Sequence, residues 1–172
     1  MSVLIDGVVH FLAGVPPWLA TVILAMLPVG ELRGALPVAL LVYKLPVAAA
    51  VFFSVLGNII PVYFLLLFFE RAAVWAAARS PLVDRILQKL YERTRRKLAG
   101  SVDKYGPWAL ALFVGIPLPI TGAWTGSLAA FVFGMSKKKA FIAIVVGILI
   151  SATIVTLITL GGSFTVNSVR AR

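Results

Sequence analysis

Residues 46 to 69, PVAAAVFFSVLGNIIPVYFLLLFF, run for 24 residues without a charged side chain. No other feature restricts the fold as strongly, because about 20 consecutive apolar residues are what a helix needs to cross the hydrocarbon of a bilayer. A second run, AFIAIVVGILISATIVTLITL, fills residues 140 to 160. The chain is 61% hydrophobic and only 13% charged, whereas soluble domains carry roughly 25% charged residues. It reads as an integral membrane protein.

Two further apolar blocks, 17–43 and 107–135, are interrupted near their middles. The first is broken by PVGELRGALP at residues 28–37, which leaves an arm of ten residues, Trp18 to Leu27, and a shorter one, Val38 to Lys44. Ten helical residues extend about 15 Å, half of a hydrocarbon core about 30 Å thick. A re-entrant hairpin is therefore expected, with one kinked helix over 17–43 as the alternative. GIPLPITGAWTG at residues 115–126 breaks the second block in the same way.

Charge decides between these arrangements for the second block. The segment 70–104 holds nine Lys/Arg against four Asp/Glu, and Lys137, Lys138 and Lys139 follow the block. A full crossing would put these basic clusters on opposite faces, against the positive-inside tendency. A hairpin leaves 71–104 and Lys137–Lys139 on the cytoplasmic side of a multi-pass protein of the cell membrane. The net charge of +10 thus reports topology, and no nucleic-acid partner is expected.

The two halves repeat. GAL at 34–36 and GAW at 122–124 mark the hairpins, and SVLGNII and IVVGILI place Gly57 and Gly147 in the following spans. With opposite orientations expected from charge, this is an inverted-topology repeat. The fold class expected is an all-α integral membrane protein built from an inverted repeat of re-entrant hairpin plus transmembrane helix, with an amphipathic linker helix. Its parts are an interfacial helix over 1–16; a first repeat over 17–79 (hairpin 17–44, transmembrane helix 46–70); a basic cytoplasmic helix over 80–104; a second repeat over 105–162 (hairpin 106–136, transmembrane helix 139–161); and a tail, 163–172. In the linker, Ser80 and Pro81 fit the cap and first position of a helix. Arg85, Lys89, Arg93 and Arg96 lie on its basic face as contacts for anionic headgroups, or simply as a cytoplasmic helix obeying the charge rule.

Glu31 and Arg33 need explaining, because each costs about 2.5–3.5 kcal/mol at the centre of a membrane helix. Glycines 30 and 34 are expected to unwind the segment so that both side chains point the same way. Either the two charges only neutralise each other or pair with Glu70, Arg71 or polar backbone to hold the hairpin tip, or Arg33 binds an anionic group and Glu31 takes up and releases a proton. Gly34, Asn58, Pro117, Pro119, Thr121, Gly122 and Trp124 complete the candidate substrate and proton site, with Thr125 beside them. Threonines bonding back to their own helix are the plainer reading. Gly57 and Gly147 read as packing glycines, and their faces are also the candidate contact of a homodimer.

Other chemistry is excluded. The chain has no cysteine and one histidine, His10, which removes disulfides, thiol nucleophiles and Cys/His metal clusters. A phosphate-binding Gly-rich loop, HExxH and a Ser/His/Asp set are absent from the sequence. No enzyme, cofactor or resident metal is expected, and energy, if required, would come from an ion gradient.

PVGELRGALPVAL, GNIIPVYFLLLFFE and KYGPWALALFVGIPLPITGAWTGSLAAFVFGMSKKKA together resemble the small multi-drug export protein family of bacteria and archaea, which looks like a branch of the DedA superfamily. The likeness runs from about residue 20 to 162. It implies facing re-entrant hairpins, and for DedA-type relatives the translocation of phospholipids or polyprenyl phosphates, linked to the proton-motive force. Glu31 and Arg33 match the acid and basic residues of the first hairpin tip. Thr121 and Gly122 stand where the resemblance implies arginine in the second. Three functions follow as expectations: a flippase for an anionic lipid, a proton-coupled exporter of lipophilic cations, or a scaffold whose basic helix recruits membrane lipids or a partner.

Overall fold

A computed structural model describes residues 14–82, 84, 85, 88, 89, 92, 105–117 and 122–170, the last eight as backbone only. The expected interfacial helix, apart from its last three residues, lies outside the described residues, as do Arg93, Arg96, Pro119 and Thr121.

All regular structure among the described residues is helical. Helix α1 spans Pro17–Met26; α2 spans Glu31–Pro37 and continues as a π-helical stretch, Val38–Val42; α3 spans Val47–Arg79. Then come α4, Gly106–Gly115; α5, Ala123–Val132; and α6, Lys137–Arg170. Pro17 opens α1 at a position where a missing N–H costs nothing. Pro37 cannot donate to the Arg33 carbonyl, and the wider π turn follows directly after it. Ser80 interrupts the helix after α3, and the helical state resumes at Pro81, as their types suggested.

Of these helices α3 and α6 are long and apolar enough to cross a membrane. The chain is a membrane protein. At 33 residues α3 extends about 50 Å, so it outruns a hydrocarbon core of about 30 Å. The ten-residue helices α1, α4 and α5 each reach about 15 Å.

The chain divides into two units, residues 1–59 with 149–172, and residues 60–148. Each long helix gives its first part to one unit and its second part to the other. In the first unit the chain turns back after α1 at Leu27–Gly30. Ala20, Leu24 and Ala25 then pack against Ala35 and Val38, and Val15 and Tyr43, from the two ends of the hairpin, close on the same cluster. This is a hairpin, not one kinked helix over 17–43. In the second unit α4 and α5 pair through Gly126, where an added Cβ would lie 2.5 Å from Val114 Cγ2.

The long helices meet the hairpins at glycines. A Cβ on Gly57 would stand 2.4 Å from the Val22 carbonyl oxygen and 2.9 Å from Ala25 Cβ. In the second unit a Cβ on Gly147 would stand 2.7 Å from the Ala111 oxygen and 2.7 Å from Val114 Cβ. Gly57 is the eleventh residue of α3 and Gly147 the eleventh of α6, while Val22/Ala111 and Ala25/Val114 are the sixth and ninth residues of α1 and α4. Both first arms then end in an extended residue, Leu27 (ψ 138°) and Ile116 (ψ 118°). The two units therefore use matching contacts at these positions.

Two expectations are corrected here. Gly34 lies inside α2 whereas Gly122 is the cap residue before α5, so the GAL and GAW segments do not occupy equivalent places in their helices. The glycine faces expected at a homodimer contact are also occupied inside the chain, because both glycines are buried against their own hairpins.

Candidate functional site

The hairpin tip of the first unit carries the two charges. Leu27, Pro28 and Val29 are exposed at the turn, Val29 at 81%. Glu31, two residues on, is buried at 6% exposure and begins α2. Its backbone lies in the left-handed region at φ 46°. A side chain other than glycine rarely adopts that conformation, and holding it costs of order 1 kcal/mol or more. Gly30 lies in the turn between α1 and α2, right-handed at φ −101°, but the unwinding expected to reach Gly34 stops short of it, since Gly34 sits inside α2. Glu31 itself makes the departure, which brings it within reach of a side chain two positions away.

Arg33 Nη2 donates to Glu31 Oε2 across 3.4 Å, with the arginine side chain 22% exposed. That is longer than the 2.7–2.9 Å of a strong charge-assisted bond. The pair brings opposite charges together at the tip without a tight bidentate contact. Gly34 leaves open space beside it, with no atom within 4 Å of where a Cβ would stand.

Asn58 faces inward as expected, 3% exposed, and its Oδ1 has no hydrogen-bond partner. Ser54, one turn earlier on α3, is fully buried with an unpartnered Oγ. Sequence reasoning passed over Ser54. Its spacing of four from Asn58, on the only polar positions of the uncharged run apart from Tyr63, was the available signal.

The second hairpin contributes different chemistry. Gly122 is buried and Trp124 half-buried, while Pro117 is half-buried just after α4. The Gly122 N–H donates to Thr125 Oγ1 at 2.9 Å, and the hydroxyl returns a bond to the Gly122 carbonyl at 3.2 Å. Thr125 thus caps its own helix, the plainer of its two readings.

Away from the tips, Glu70 on α3 pairs with Lys137 at the start of α6, both side chains about half exposed. Glu70 is therefore engaged there rather than with the tip charges. Arg85 and Lys89 are exposed, as is Leu82 at 67%, so the described part of the linker presents both its basic and its apolar residues. No group of three or more metal-ligating side chains exists among the described residues.

A family model described as "Putative small multi-drug export protein" matches residues 31–154, from the tip glutamate to the middle of the last helix. No curated protein matches the chain, and no solved structure does.

Proposed function

The chain belongs to the small multi-drug export protein family, and on that premise we propose that it is a proton-coupled exporter of small lipophilic cations. Membership supports a membrane exporter in general terms. One observation carries the finer reading: a glutamate, 94% buried, stands on strained backbone at an apolar hairpin tip. Such a carboxylate can hold a proton or a substrate cation, and exchange of one for the other would couple export to the proton gradient.

The tips are then midplane elements. The exposed apolar turn Leu27–Val29 suits hydrocarbon better than water, and half-length helices need a hairpin that enters and leaves on one side. The matched packing of Gly57 and Gly147 supports a repeat, and with the basic clusters of 71–104 and Lys137–Lys139 in the cytoplasm that repeat is inverted. Labelling of Lys104→Cys and Lys137→Cys tests this, since both should react from the cytoplasmic side.

A second reading is favoured by Arg33, whose guanidinium remains 22% exposed: it holds the phosphate of an anionic lipid and Glu31 releases it. Transport in proteoliposomes separates the two. With an imposed proton gradient, the first reading expects uptake of cationic dye that Glu31→Gln abolishes. Lipid-phosphate translocation lost in Arg33→Ala, without dye transport, would replace it with the second.

A further inference from the structure

We propose that Ser54 and Asn58 form a subsite that accepts N–H hydrogen bonds from protonated amines, so that the exporter distinguishes an amine carrying a proton from a quaternary ammonium. This rests on the reading of the chain as a cation exporter. Three features of α3 point to it.

The first is that both polar atoms are orphans where partners were available. Thr21, Ser127, Thr153, Thr156 and Thr159 all donate to the carbonyl four residues earlier, at 2.7–3.0 Å. Ser54, in the same helical setting, does not, and Asn58 Oδ1 one turn on is also unmatched. A buried polar group left so costs about 1–3 kcal/mol.

The second is that packing does not require them. Counting from Gly57 and Gly147, the positions of Ser54 and Asn58 correspond to Ile144 and Ile148, which are 0% and 1% exposed. The same glycine-centred face is thus built from isoleucine in the second unit. The polar pair is an addition to the repeat, and Pro61 adds to it by withholding the N–H that would otherwise bond the Gly57 carbonyl.

The third is position. Trp18 stacks near Phe53 at 5.8 Å, and Gly57 lies against Val22 and Ala25. Helices α1 and α3 therefore run in the same direction, and Asn58 sits at the level of α1's last turn, the end from which the chain enters Glu31. The Asn58 amide oxygen at that end, the Ser54 hydroxyl one turn before it and the Glu31 carboxylate beyond it can all accept, and they suit one guest: a cation with N–H bonds to give.

The test uses two matched fluorescent probes, a naphthylalkyl dimethylammonium with one N–H and its trimethylammonium analogue with none, titrated into the detergent-purified protein. The wild type should bind the N–H cation about tenfold more tightly, equivalent to about 1.4 kcal/mol. Asn58→Leu, and separately Ser54→Ala, should erase most of that preference. Equal affinities in the wild type, or a preference that survives both substitutions, overturns the subsite. Binding of both probes undiminished in Glu31→Gln overturns the cation-exchange reading instead, and leaves the affinity ratio in Asn58→Leu to decide the subsite.

Discussion

Alanine at Gly57 is the sharpest test of how the hairpin is fixed to its span. The new Cβ would stand 2.4 Å from the Val22 carbonyl oxygen and 2.9 Å from both Val22 Cα and Ala25 Cβ. Ordinary contacts begin about 1 Å further out, and backbone atoms supply two of the three, so no side chain can rotate aside. Overpacking of this kind costs about 1–3 kcal/mol, against which alanine in a helix recovers about 0.5–1 kcal/mol. Gly34→Ala is the matched control, because it enters a helix with no atom within 4 Å and should stabilise by up to about 1 kcal/mol. Thermal unfolding of both variants in one detergent, followed by helical circular dichroism, should separate their midpoints by roughly 2–12 °C, since the overpacking cost of about 1–3 kcal/mol moves a chain of this size about 2–4 °C per kcal/mol. Gly57→Ala unfolding at or above the temperature of Gly34→Ala would refute the packing of α1 on α3.

Other variants test single contacts. Thr125→Val removes the acceptor of the Gly122 N–H and should cost about 0.5–1.5 kcal/mol, read as a lower unfolding midpoint. Glu70→Gln breaks a pair whose side chains are about half exposed, so its effect on stability should stay below about 1 kcal/mol and shrink further in high salt. Asn58→Leu should be neutral or stabilising by about 1 kcal/mol in the same assay, because it removes an unmatched buried acceptor where Ile148 shows the counterpart position tolerates an aliphatic side chain.

Much of this architecture was legible in the chain. The charge-free runs announced α3 and α6, the Pro/Gly cluster at 28–37 marked the first hairpin turn, and Gly57 and Gly147 stand at the same place in the two long helices. Each is a local signal, read from length or from residues with special backbone freedom. GAL and GAW were a poor guide to the alignment of the hairpins because short Gly-Ala motifs carry no packing information; Gly34 falls inside α2 and Gly122 before α5. Nor could Glu31 be seen as the strained residue. Two glycines flanked it, and propensity assigns unusual backbone to them, but the left-handed turn fell on the glutamate. Ser54 escaped for a related reason. A serine in a membrane helix ordinarily satisfies itself against its own backbone, and only coordinates reveal one that has not.

The exchange at Glu31 is tested most directly by counting protons. Purified protein in weakly buffered detergent, with a pH indicator, is titrated with a quaternary lipophilic cation, which has no proton of its own to lose. Substrate and proton competing for one carboxylate should release up to one proton per cation bound, with weaker binding at lower pH, and Glu31→Gln should release none. Cation binding without proton release, or release that persists in Glu31→Gln, would contradict the account.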